Sequence, residues 1–237
     1  MDRSAFFAHL TETDPHLFAD GMSEAQQAGL SVKLDVWAKW YAQDHPVTYL
    51  AAALGQIHHE TGGRMQPVLE AFASDRAGSA ERLQKAWDEG RLRWVRAPYW
   101  LPDETGRHPV GGGDIQLTHR RNYLAANAGL FRRFHVRVGL DENYDLILDP
   151  VVSAHVAFCG MIEGWFRPCR LDDFRTPSGL DYAAARDIVN GDAGLIGERI
   201  ARSCATFEAA LRAAGADRDF GPPSGAVDWP EPGRGLP

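Results

Sequence analysis

The chain has 237 residues, 44% of them hydrophobic, and a formal net charge of −7 from 32 acidic and 25 basic side chains. That composition supports one large domain or one domain in two lobes, and its negative balance argues against nucleic acid as a partner, because phosphate binding favours a basic surface. No apolar run approaches the ~20 residues that span a bilayer, and the three scattered cysteines (Cys159, Cys169, Cys204) make no disulfide framework and suit a reducing compartment.

Residues 3–10 and 23–42 are expected to be helical, the second with Leu30, Leu34, Trp37 and Tyr41 at three- and four-residue steps. The next predicted helix runs over 46–60, with Pro46 suited to its first turn. Leu50, Leu54 and Ile57 mark one apolar face, and the next step along that face is Glu60. An ionised carboxylate seldom sits unpaired on a buried face. Gly62 and Gly63 stop the helix, so Glu60 also lies at the negative end of the dipole. Burial and dipole both disfavour the charged form and raise the pKa, as a general acid near neutral pH needs. The competing reading is a solvated glutamate at a helix end. Glu70, beyond Pro67, is a candidate second carboxylate, and two carboxylates in unlike environments are the equipment of glycoside hydrolysis. A zinc-protease reading of His59-Glu60 fails, because His-Glu-x-x-His needs histidine where Gly63 stands. His58 and His59 read as packing or supporting groups, and neither a metal nor another cofactor is expected.

A helix over 79–90 is followed by an irregular stretch over 91–114, with at most a small hairpin around 95–116. After the triple glycine 111–113 come Gln116, Thr118 and Asn122, short polar side chains able to bind sugar hydroxyls or N-acetyl groups and to hold a water. Thr118 reads equally as the N-cap of a helix over 119–129. Asp149-Pro150 opens a helix with Val151, Ala154, Phe158, Met161, Ile162 and Trp165 inward; another is expected over 180–189, and a last one after Asp192. Residues 216–237, rich in Pro and Gly, are expected to form a mobile tail on a domain of residues 1–215, removable without loss of stability. The pattern is mainly α.

Together these segments resemble family 19 glycoside hydrolases, the chitinase and phage-endolysin group with a lysozyme-like, two-lobed helical fold. The resemblance is carried by His59-Glu60-Thr61-Gly62-Gly63, Pro67-Val68-x-Glu70, Gly113-x-x-Gln116-Leu117-Thr118-x-x-x-Asn122-Tyr123, Asp149-Pro150, Gly160-Met161-x-x-Gly164-Trp165-Phe166 and Ile188-Val189-Asn190-Gly191, and spans roughly residues 5–214. It implies Glu60 as general acid, Glu70 as the base that activates water, and Thr118 as a holder of that water. It places His59, Gln116, Asn122, Tyr123 and Asn190 at substrate-binding positions. The family inverts the anomeric centre, which calls for carboxylates about 6.5–9.5 Å apart. Asp75 is the alternative base, and an ion pair of Glu70 with Arg64 or Arg121 is the neutral alternative. Gly112 stands where the family commonly has arginine, which leaves open a glycan-binding protein without turnover. The resemblance implies a peptidoglycan hydrolase of endolysin type, cutting β-1,4 bonds between N-acetylated sugars, with a chitinase as the second reading. A monomer without membrane insertion is expected. Met1-Asp2-Arg3-Ser4 has no secretory character, so synthesis in the cytoplasm and release to the cell wall by a holin or lysis are expected.

Overall fold

The helix that ends in Glu60 is the axis of the fold. In the computed structural model, which describes residues 1–229, α1 (Arg3–Ala8), α2 (Glu24–Trp40), α3 (Val47–Glu60), α4 (Arg76–Asp88), α5 (Arg120–Phe134), α6 (Pro150–Glu163) and α7 (Ala193–Ala213) form the frame of the chain. Two short antiparallel pairs complete it, β1 (Val68–Leu69) with β2 (Gly112–Gly113), and β3 (Arg175–Thr176) with β4 (Gly179–Leu180). α3 is buried from Thr48 to Ile57 and packs chiefly on α7 and α6.

Local chemistry sets the helix starts. Ser23 and Gln26 form a reciprocal capping box at α2, and Asp149 accepts from the Val151 and Val152 amides to open α6, with Pro150 next. Pro46 is the extended N-cap of α3, not a member of its first turn. α4 starts at Arg76, earlier than expected, because Asp75 caps it by accepting from Gly78 N at 2.7 Å. The helix expected over 180–189 is a short 3₁₀ segment, Ala184–Ile188.

Two apolar clusters define two lobes. The larger joins α1, α2, α3, α6 and α7 around Trp37, Tyr41, Phe158 and Phe207. The smaller packs Leu83 of α4 against Leu69, Trp100 and Val110, so the irregular stretch after α4 folds over that helix. This is the mainly α, two-lobed arrangement the sequence implied. No local hairpin forms over 95–116; β2 pairs with β1 instead, in the register Val68–Gly113 and Leu69–Gly112. No helix among the described residues is long and apolar enough to cross a membrane.

The segment after residue 215 departs from expectation. Phe220 and Val227 are buried, and Trp229 stacks on the buried His155 with ring centroids 4.1 Å apart. Ser224 donates from its amide and hydroxyl to Asp35, and the terminal amine of Met1 donates to the Asp219 and Phe220 carbonyls. Residues 216–229 are therefore docked, while 230–237 lie outside the described residues. Periodicity detects a helix face or a strand face; an extended segment that anchors one apolar side chain at a time shows neither. Burying an apolar side chain stabilises by roughly 1.5–3 kcal/mol, so a chain ending at Gly215 should lose about 3–6 kcal/mol. At ~2–4 °C per kcal/mol for a domain of this size, its melting temperature should fall by ~10 °C or more by circular dichroism. An unchanged melting curve would show that this packing contributes nothing.

Candidate active site

Glu60 sits on the last turn of α3, where the chain breaks into left-handed backbone at Gly62 and Gly63. Its side chain is 15% exposed. Arg186, almost wholly buried, donates to Glu60 Oε1 at 2.5 Å and to Gln56 Oε1 at 2.9 Å, while its Nε donates to Asp192 Oδ1 at 2.7 Å. Burial pushes the Glu60 carboxyl up from its usual range, and the Arg186 guanidinium offsets only part of that. The expected direction is found, with a cation that the sequence did not announce. Asp192 resembles a helix cap, yet its side chain caps nothing and holds Arg186 instead.

A cleft of about 330 Å³ opens beside Glu60, lined by Gln116, Thr118, His119, Asn122, Phe166 and Asn190 among others. Of the expected substrate-binding residues, Gln116, Asn122 and Asn190 therefore meet at one cleft. Two expected residues do not reach it. Tyr123 is fully buried beneath it, donating to Val110 O at 3.1 Å and stacking on Tyr144, so it supports the wall. His59 faces a neighbouring pocket on the other side of the α3 terminus.

Glu70 reaches the site through the β1–β2 pair. That register continues one residue further, with Glu70 N donating to Gly111 O at 2.9 Å, while Gly111 N donates to Glu70 Oε2 at 2.8 Å. The Tyr99 hydroxyl donates to the other carboxylate oxygen. Neither Arg64 nor Arg121 pairs with Glu70, so the bracing ion pair is not found among the described residues. Thr118 Oγ1 donates to Gln116 O at 2.8 Å, which leaves its lone pairs free to accept; the N-cap of α5 is His119, not Thr118. A Cβ built on Gly111 would lie 3.0 Å from Gln116 Oε1, 3.1 Å from Glu70 Oε2 and 3.1 Å from Thr118 Oγ1. Three oxygens thus converge on one small space, which only glycine at 111 leaves open. Asp75, the alternative base, is exposed and committed to its helix cap.

Gly112 also has a steric reason. Its Cβ would lie 3.0 Å from Ile147 Cγ2, 3.2 Å from Tyr123 Oη and 3.3 Å from Arg76 Nη2. Arg76 fills the space under this strand, donating to the Val110 and Tyr144 carbonyls and to Tyr123 Oη. Backbone strain gathers here as well. Met65, Ala71, Phe72, Gln116 and His119 all have left-handed φ, and costs of this kind persist where surrounding structure imposes them, often at functional sites. Sequence reasoning missed Arg186, Tyr99 and Phe166 as parts of the site. Ala185 and Ile188 around Arg186 mark only a buried turn, and Tyr99 lies in a stretch without periodicity. Among the described residues no group of three or more His, Cys, Asp or Glu is placed to hold a metal ion.

No family model matches the sequence, and no curated protein matches it. Among solved structures the chain is similar to chitinase C from Streptomyces griseus HUT6037, at 18% identity over 91% of this chain and 94% of that one, with a TM-score of 0.45. It is also similar to a glutamate-to-glutamine mutant of chitinase C, at 16% identity over 93% and 96%, with a TM-score of 0.40. Similarity at that level leaves function to the geometry of the site.

Proposed function

We infer that the chain is a glycoside hydrolase that uses Glu60 as general acid and a water held by Glu70 and Thr118 as nucleophile. Its substrate on this reading is peptidoglycan, cut at β-1,4 bonds between N-acetylated sugars. The observation that carries the reading is the convergence of Glu70 Oε2 and Thr118 Oγ1 on one space beside the cleft that Glu60 also lines. A water there donates one hydrogen to the Glu70 carboxylate and the other to the Thr118 hydroxyl, which turns a lone pair to the sugar. Glu60 protonates the leaving oxygen, and Arg186 then steadies the carboxylate that remains. Attack by water opposite the departing group inverts the anomeric carbon. The neutral amides of Gln116, Asn122 and Asn190 suit N-acetyl and hydroxyl groups.

Chitin-type glycans are the second reading, favoured by that same uncharged lining. Mass spectrometry of products from purified peptidoglycan and from chitin oligomers separates the two by the reducing-end sugar. Release from chitin oligomers alone would overturn the peptidoglycan assignment. Glu70→Gln and Thr118→Ala should each reduce turnover, Glu70→Gln by ~10²-fold or more as loss of a general base, while Asp75→Asn stays near wild type. NMR of the first product should show the α-anomer. A β-anomer as first product, or loss in Asp75→Asn without loss in Glu70→Gln, would refute the assignment of the water to Glu70.

A further inference from the structure

Next to the cleft, on the other side of the α3 terminus, lies a second pocket of about 350 Å³. Its walls come from the chain before α2 (His16), from the end of α3 (His58, His59) and from α7 (Arg199, Arg202, Ser203). Arg199 and Arg202 are three apart on α7 and share a face. Neither pairs with a carboxylate among the described residues, in contrast to Arg186, which holds both Glu60 and Asp192. Among the described residues, the one polar partner of the Arg199 guanidinium is the Nδ1 of His59, at 3.5 Å. That ring is neutral at physiological pH, since burial and the guanidiniums of Arg186 and Arg199 hold it at about 4. His58 is likewise pushed down by burial, and Asp14, which pairs with the pocket's His16, is taken up by His16 and Thr206. Two guanidiniums without an ion-pair partner among the described residues thus face this pocket, on a chain whose net charge is −7.

The pocket is coupled to the cleft by chain position. His59 faces the pocket and its neighbour Glu60 faces the cleft, so the two openings flank the same helix end. No Lys or Arg is among the residues that line the cleft itself. We propose that this pocket is a carboxylate subsite, in which Arg199 and Arg202 receive the anionic peptide stem carried by alternate sugars of a peptidoglycan strand. The assignment rests on the hydrolase reading above and deepens it, because a poly-N-acetylglucosamine strand has no carboxylate to place there. Guanidinium–carboxylate bonds are charge-assisted and geometrically selective, and an unpaired Arg at a pocket wall is suited to make them.

The test uses the full chain in two arms. In the first, N-acetylmuramyl dipeptide is titrated by NMR at neutral pH, with its amidated, uncharged form and inorganic phosphate as comparisons. Arg199→Gln and Arg202→Gln should each weaken dipeptide binding by ~10-fold, a typical effect for one charge-assisted bond, and amidation should do the same to the wild type. Equal binding of the amidated form, unchanged affinity in both variants, or tighter binding of phosphate than of the dipeptide would overturn the subsite. The second arm measures KM on stem-bearing glycan and on glycan stripped of its stems by an amidase. The preference for the stem-bearing form should shrink ~10-fold in the variants through KM, with kcat kept. An unchanged preference in variants that still hydrolyse both glycans would also overturn the subsite. Arginine-dependent binding without hydrolysis of either glycan would instead sink the hydrolase reading and leave the subsite standing.

Discussion

Glu60→Gln should fold and bind glycan like the parent while losing at least ~10²-fold, and up to ~10⁴-fold, in turnover, the usual range for removing a general acid. The amide keeps the size of the side chain and can still accept from Arg186 Nη1, so the network of Arg186 with Gln56 and Asp192 survives. What disappears is the proton. In the parent, burial holds the carboxyl above its ordinary pKa, which extends the protonated form toward neutral pH. Because the acid acts protonated, kcat should fall as pH rises through that elevated value. The alkaline limb should lie above the ordinary carboxylate range and be absent from the residual activity of Glu60→Gln. A correctly folded Glu60→Gln protein with near-parental turnover would remove Glu60 from the mechanism.

Asp114→Ala should cost about 3–5 kcal/mol of stability, the range for leaving one member of a buried ion pair uncompensated. Lys33 on α2 and Asp114 on the glycine-rich loop are both fully buried, with Nζ 2.9 Å from Oδ1. Lys33 also donates to Met65 O at 3.0 Å, and the Asp114 amide donates to Ser153 Oγ at 2.7 Å. One ammonium therefore ties the turn after Glu60 to the loop that carries Gln116 and Thr118. Burial drives the Asp114 carboxyl upward, and Lys33 draws it partly back. Replacing both partners, as in Lys33→Met with Asp114→Leu, should recover most of the lost stability, because no orphaned charge is left inside. The double variant should still lose activity, since the ammonium's tie between the Met65 turn and the loop of Gln116 and Thr118 is then gone. Urea denaturation and turnover measured on the same preparations separate the two effects. An Asp114→Ala protein within ~0.5 kcal/mol of the parent, the ordinary range for surface changes, would show that the pair contributes little.

Helix positions were legible because their causes are short in sequence. The Asp149 cap and the run Leu50, Leu54, Ile57 are local chemistry, and each appears in the structure at or near its expected place. Glu60 stood out for the same reason, as a carboxylate that continues a buried face. The error at residues 180–189 has a local cause too. That apolar pattern fits a 3₁₀ turn as well as a helix, and its role is to seat Arg186.

Tertiary structure decided everything that joins distant, non-periodic segments. Glu70 lies near Thr118 only because Val68 and Leu69 pair with Gly113 and Gly112, a register that two-residue strands cannot advertise in their own sequence. Tyr99 reaches Glu70, and Arg186 reaches Glu60, from turns without any repeat. Tyr123 and His59 belong to motif positions, yet packing sends one beneath the cleft and the other to the far side of the helix end. The sequence by itself determined the helices, the mainly α class and the acid at the end of a buried face, because caps, periodicity and burial act over a few residues. Which partners that acid meets, and which second carboxylate stands near Thr118, depend on contacts between segments far apart in the chain, where backbone pairing and buried charge outweigh local preference.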